Sequence, residues 1–148
     1  AELGCRLRIV GELSDDQAEL LERSQVDYSN VTDLDSVGMH QEYRNADIVV
    51  FCSLFEGFGL PIIEAQAVGR PVITSAIEPM RDVARDGALL INPEDVAAIR
   101  DAVIRLIADG DLRESLIKKG IANAERFRLG RIAAQYAELY SEVTAAAS

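Results

Sequence analysis

At 148 residues the chain has the size of one typical domain, and its 49% apolar and 27% charged residues are ordinary globular usage, enough to bury roughly 68–70% of the unfolded surface. The formal charge of −10 argues against the clustered lysines and arginines that grip a nucleic-acid backbone or an anionic membrane. The acid is uneven: residues 111–148 carry +1, so residues 1–110 carry −11.

Cys5 and Cys52 are too few for a disulfide scaffold and stand in no C-x-x-C spacing, so they read as two reduced thiols of a cytoplasmic protein. The longest good apolar run, Ile48 to Cys52, falls far short of the roughly 18 residues of a membrane span, so no transmembrane segment is expected. The opening residues lack a basic region followed by an apolar one, so no secretory leader is expected. With no Met at its start, the sequence reads as a piece of something longer or as a processed chain.

Leu7 to Val10 reads as a strand stopped by Gly11. Ser14 and Gln17 form a capping box that opens a helix with Ala18, Leu20 and Leu21 on its apolar side. Val26 to Val31 is a second, diluted strand. Asp35 or Ser36 caps a helix to about Asn45, with Val37, Met39 and Tyr43 inward. Ile48 to Cys52 is continuously apolar, as in a strand buried on both faces. A glycine-containing turn follows. Pro61 then stands at the favoured first helical position of a short helix ending near Gly69. Pro71 to Thr74 is the next strand, Pro79 to Arg85 one or two helical turns, and Ala88 to Ile91 the last strand.

Val96, Ile99, Val103 and Leu106 mark one face of a helix beginning after Pro93. Asp111 caps the next, with Leu112, Leu116, Ala124 and Phe127 inward. Gly130 breaks it, and Ile132, Tyr136, Leu139 and Val143 mark a final helix whose alanines at 145–147 fray. Alternating strands and helices predict an α/β fold: a Rossmann-like, mostly parallel sheet with helices on both faces, ending in a run of C-terminal helices, all in a single domain, 1–148. Ligands of such folds sit beyond the carboxyl ends of the strands.

One such place stands out, Ser53-Leu54-Phe55-Glu56-Gly57-Phe58-Gly59-Leu60-Pro61-Ile62-Ile63-Glu64. Gly57 and Gly59 remove side chains from the turn, so a ligand can approach the backbone. The amides from Phe58 to Ile62, except at Pro61, and the positive end of the following helix suit phosphate. The turn is neither the dinucleotide fingerprint, which needs glycine where Ile62 stands, nor a P-loop. Glu56 and Glu64 would repel phosphate unless they face hydroxyls, so the expected guest carries sugar as well. A purely structural account stays open at this point. Glu64 lies in the first turn of a helix, where the dipole favours an acid, Glu56 can be a solvated loop acid, and the glycines can simply make a turn.

Glu56 and Glu64 make an E-x7-E spacing. With Glu56-Gly57-Phe58-Gly59-Leu60-Pro61 and Glu64-Ala65-Gln66-Ala67-Val68-Gly69-Arg70-Pro71-Val72-Ile73, this stretch resembles the retaining GT-B glycosyltransferases of group 1, glycosyltransferase family 4. The resemblance runs in order along nearly the whole chain. Leu7 to Gly11 resembles the family's L-x-I-V-G strand; Tyr43, Ala46 and Asp47 fit its Y-x-x-A-D; Pro79 to Pro93 resembles its P-x-R-E-V-x-G-D-A-A-L-L-x-x-P stretch. Cys52 replaces a usual proline, Arg85 stands where glycine is common, and Leu129 where tryptophan often sits.

The resemblance implies one half of a GT-B fold, the domain that binds a nucleotide-diphosphate sugar, with Glu64 on the ribose hydroxyls. It implies amides of Gly57, Phe58, Gly59 and Leu60 along the diphosphate and sugar. Glu56 is then the catalytic candidate, on the hydroxyls of the transferred sugar at the reacting face. Asn30 and Ser29 would lie near the base. Transfer would proceed with retention, without metal or other cofactor; a lone histidine, His40, already leaves no histidine metal cluster or triad.

The resemblance also implies absent parts. One is a strand and helix upstream, whose strand lies between the Leu7 and Ile48 strands and which brings an Arg and a Lys for the leaving diphosphate. The other is an N-terminal acceptor domain. The piece is then expected to be inactive alone and prone to self-association. Its full-length parent would build a polysaccharide, glycolipid or similar glycan. Two other readings are a nucleotide-sugar-binding subunit of a split transferase and a non-catalytic Rossmann-like interaction module.

Overall fold

In the computed structural model, which describes residues 4–146, strands and helices alternate in the expected order. They fall into two units, Ala1–Ala46 and Asp47–Ser148. In the first, β1 (Leu7–Val10) pairs in parallel with β2 (Tyr28–Val31), register Leu7 to Tyr28 through Val10 to Val31. The second strand starts at Tyr28 rather than Val26. Helix α1 (Asp15–Arg23) opens on the Ser14–Gln17 capping box, both bonds present. Helix α2 (Ser36–Asn45) is capped by Asp35, whose carboxylate accepts from the Gly38 amide at 2.7 Å. Tyr43 is buried as expected, but Val37 and Leu20 are exposed. Each lies beside the stripe that turns inward, where helical position alone does not decide burial. Asn30 Nδ2 donates to the carbonyls of Ile9 (3.1 Å) and Gly11 (2.8 Å), stitching the ends of β1 and β2 together.

The second unit holds a parallel sheet in the order β3 (Val49–Phe51), β4 (Val72–Ser75), β5 (Ala88–Ile91). The strand buried on every residue is β4, the central one. The expectation that the Ile48 strand is covered on both faces is corrected: Val50 is 47% exposed. Within the described residues β3 has only β4 beside it, and an edge strand keeps one flank and part of a face open.

Helix α3 (Leu60–Ala67) returns from β3, and α4 (Met80–Ala84) with the 3-10 turn Arg85–Gly87 connects β4 to β5. Then come α5 (Val96–Ala108), α6 (Gly110–Ala124), the 3-10 turn Glu125–Phe127 and α7 (Leu129–Ala146). Ala147 lies outside the described residues. Ile73, Ile91, Ala102, Leu106 and Leu116 form the core between sheet and helices, with Ile48, Cys52 and Ile99 packed against it. Val96, expected inward, is exposed at the start of α5.

Two helix boundaries differ from expectation. Asp109, not Asp111, caps α6, its carboxylate accepting from the Leu112 amide at 2.9 Å. The break before the last helix is the extended Arg128 (ψ 133°), and Gly130 lies inside the first turn of α7. Arg113 caps α5 by donating to the Ile107 carbonyl at 2.8 Å.

Candidate functional site

The turn after β3 is tied to the buried strand beside it by hydroxyl groups. Thr74 Oγ1 donates to the Phe51 carbonyl (2.8 Å) and Ser75 Oγ to the Ser53 carbonyl (2.6 Å). Both donors are fully buried. They satisfy carbonyls at and just beyond the end of β3, tying the start of the turn to β4. Ser53 Oγ in turn donates to Glu56 Oε1 at 2.7 Å. A half-buried carboxylate is thereby held at the mouth of the turn, with its other oxygen available to a hydroxyl ligand.

The two glycines do different work. Gly59 is the N-cap of α3 at φ 99°, ψ 46°, a left-handed conformation that favours glycine. A Cβ there would also meet Ile62 Cδ1 at 3.1 Å. Gly57 has no positive φ, and a Cβ on it would meet nothing within 4 Å. Its missing side chain leaves the backbone open to an approaching ligand. The amide of Ile62 is taken by the Gly59 carbonyl at 3.1 Å, so the expected run of anion-facing amides shortens to Phe58, Gly59 and Leu60. The side chains of Phe58 and Leu60 are exposed. Phe58 meets the Phe127 ring edge to face at 5.7 Å, so the turn after α6 braces the glycine turn.

Helix α3 begins at Leu60 with Pro61 second, which makes Glu64 the fifth helical residue; no acid occupies the first turn. Helix-dipole stabilisation, confined to the first turn, does not account for it. Ile62, Ile63, Ala65 and Gln66 are buried, and Glu64 projects on the exposed face between them.

That helix is held by a polar knot the sequence did not announce. Gln66 Nε2 donates to the carbonyls of Ala84 and Gly87, each at 3.2 Å. Asn123 Nδ2 donates to Gln66 Oε1 (2.8 Å) and to the Val83 carbonyl (2.7 Å). Gly87 sits so close that a Cβ would lie 2.8 Å from Gly120 Cα. The only available signals were two amide residues on otherwise apolar helix faces. The supports at Ser53, Thr74 and Ser75 were missed likewise, although hydroxyl residues at a strand's carboxyl end are a readable sign.

Burial pushes the Cys52 thiol up from its ordinary value, so it is a packed thiol and not an activated one. Among the described residues no group of three His, Cys, Asp or Glu is arranged to hold a metal, and His40 is exposed. No helix among them is long and apolar enough to cross a membrane.

Residues 1–109 match the family described as glycosyl transferases group 1. Two curated relatives are an O-antigen chain mannosyltransferase B of Escherichia coli and a phosphatidyl-myo-inositol mannosyltransferase of Mycobacterium leprae. The first is 38% identical over 57% of this chain and 22% of its own, the second 31% identical over 78% of this chain and 32% of its own. Among solved structures, a sucrose-phosphate synthase of Thermosynechococcus elongatus superposes with a TM-score of 0.80 at 30% identity, over 95% of this chain and 39% of that one. The chain thus spans about a fifth to a third of the length of these curated relatives. With a parallel α/β architecture and a matched family region covering most of its length, the chain belongs to the group 1 glycosyl transferases.

Proposed function

We propose that residues 1–148 form the donor-binding domain, incomplete on its N-terminal side, of an enzyme that moves a sugar from a nucleotide-diphosphate sugar to a glycan or lipid acceptor with retention. One observation carries the reading: a carboxylate fixed by Ser53 and an exposed Glu64 flank a glycine turn in which Gly57 leaves the backbone open to a ligand. Carboxylates suit hydroxyl groups and the amides suit phosphate, so the two together suit a sugar joined to a diphosphate. Glu64 binds the ribose, Gly57 to Leu60 line the diphosphate, and Glu56 contacts the transferred sugar at the reacting carbon. The short share of its relatives' length supports an acceptor domain outside these residues. Acceptor positioning would come from that domain and leaving-group cations from the upstream strand and helix, so these residues alone bind donor without transferring sugar. The mannosyltransferase relatives support a glycan or glycolipid product, and reduced thiols fit a cytoplasmic site.

The test is saturation-transfer NMR with UDP, GDP and ADP and their common sugars. Glu64→Ala should weaken nucleotide and nucleotide sugar alike, by about 1.5–3 kcal/mol for a lost charge-assisted bond. Glu56→Ala should spare the free nucleotide and weaken only the nucleotide sugar. Unchanged affinity in both variants, or turnover by the 148 residues alone, defeats the proposal.

A further inference from the structure

Three arginines lie around the end of α6, each in an unfavourable setting: Arg85 in the 3-10 turn that packs on α6, Arg126 in the turn that follows α6, and Arg131 in the first turn of α7. Asn123, near the end of α6, is the organiser. It donates to the Val83 carbonyl at 2.7 Å and accepts from Arg126 NH1 at 2.8 Å. The end of α4, with Arg85 two residues beyond Val83, is thereby tied beside the turn that carries Arg126.

Arg85 has φ 49° and ψ −139°, on the side of the map that favours glycine, yet an arginine is there. Arg131 lies in the first turn of α7, at the positive end of the helix dipole, the wrong end for a cation. Arg126 packs on the Phe127 ring, its guanidinium carbon 5.0 Å from the centroid. Burial first, and then the charges of Arg85 and Arg131, push the Arg126 pKa down; only Asp82 opposes them.

Among the described residues no carboxylate forms an ion pair with Arg85, Arg126 or Arg131, although the neighbouring Arg128 has Glu125 at 2.6 Å and Arg81 has Glu78 at 2.6 Å. In a chain of net charge −10, three guanidiniums without an ion-pair partner around one helix end form a local excess of positive charge. Arg126 donates to Asn123 through NH1, one of the five N–H donors that a guanidinium carries.

We propose that Arg85, Arg126 and Arg131 form a binding site for a phosphate or diphosphate group, beside but not within the glycine turn. Guanidinium forks match phosphate oxygens bidentately, and a ligand of charge −2 or more offsets the repulsion among the three cations. Arg126 is the fixed member, anchored by Asn123 and Phe127; Arg85 and Arg131 are exposed, so their side chains are accessible to a ligand. Phe127 also meets Phe58, so an occupant here would brace the turn proposed for the donor. The phosphate can belong to a soluble phosphorylated ligand or to a lipid headgroup; the chemistry is the same.

The experiment is an amide NMR titration of the 148-residue chain with inorganic pyrophosphate, beside co-sedimentation with phosphatidic acid and with phosphatidylcholine vesicles. Saturable shifts are expected at Arg85, Gly87, Arg131 and Ile132. They should weaken at least tenfold in Arg85→Gln/Arg131→Gln, both surface changes that leave the buried Asn123 contacts intact. Glu64→Ala should leave them unmoved. Shifts at Gly57 and Gly59 report on the donor proposal separately, so either idea can fail without the other. Binding in the pyrophosphate arm, or to phosphatidic acid vesicles only, supports the site if the double variant loses it and identifies the phosphate source. Shifts confined to Gly57 and Gly59, no binding in either arm, or equal binding by the double variant overturns it.

Discussion

A carboxylate meant for a neutral hydroxyl has to be aimed, because an exposed glutamate keeps several rotamers and loses entropy on binding. Ser53 aims Glu56 through one 2.7 Å bond, and Ser75 holds Ser53 through its carbonyl. Ser53→Ala should therefore weaken nucleotide-sugar binding by about 0.5–1.5 kcal/mol, the net worth of one such bond. Free nucleotide should bind as before, and calorimetry with both ligands reads the difference. A second carboxylate, Glu42, illustrates a residue tuned for stability. Its bidentate contact with Arg8 (2.6 and 2.8 Å) holds its pKa below the ordinary value, against a smaller opposing effect of burial. A depressed acid stabilises the fold fully above the unfolded pKa, near pH 4.5 or a little below. It loses that contribution as pH falls through the lower folded value. Thermal melts of the chain and of Glu42→Gln should differ at pH 7 and converge in acid; a gap that widens in acid would contradict the assignment.

Elements whose signals are local are legible in the sequence: the Ser14–Gln17 capping box, Pro61 in the first turn of α3, and the strand–helix alternation. What failed depended on neighbours. An apolar run names a strand but not its place in a sheet, so β3 looked like the buried strand when β4 is the central one. The cap of α6 is hard to read because Asp109 also ends α5, and one residue serves both helices. The glycine turn was legible, but its bracing by Phe127 and the Gln66–Asn123 knot join residues far apart in sequence. The glycine that the family resemblance leads one to expect where Arg85 stands acquires its reason from φ 49°, which favours glycine. The knot also predicts an intolerance. In Gly87→Ala the new Cβ would lie 2.7 Å from Gln66 Nε2 and 2.8 Å from Gly120 Cα. Backbone cannot yield as a side-chain tip can, so α6 must move away. Chemical denaturation should show a loss of about 1–3 kcal/mol, as overpacking commonly gives. An unchanged midpoint would mean that α3 is held otherwise.

Over the whole chain, two long-range effects oppose each other. The net charge of −10 keeps copies apart. The last helix presents Leu129, Tyr136, Leu139, Tyr140 and Val143 to solvent, with Tyr136 57% and Leu139 51% exposed. The two tyrosines stack on each other at 6.3 Å rather than on a core. A continuous apolar face of this kind favours association, and its attraction is not screened by salt. Charge repulsion is screened, over a Debye length of about 30 Å at 0.01 M salt and about 10 Å at 0.1 M. The two effects therefore separate in one experiment. Raising salt should increase the weight-average mass in sedimentation equilibrium, where an association driven by opposite charges would dissolve. Tyr136→Lys/Leu139→Lys should hold the chain monomeric at high salt without lowering its melting temperature, because neither side chain is part of the buried core. Association that persists in the double variant would move the sticky surface elsewhere, the open flank of β3 being the next place to look.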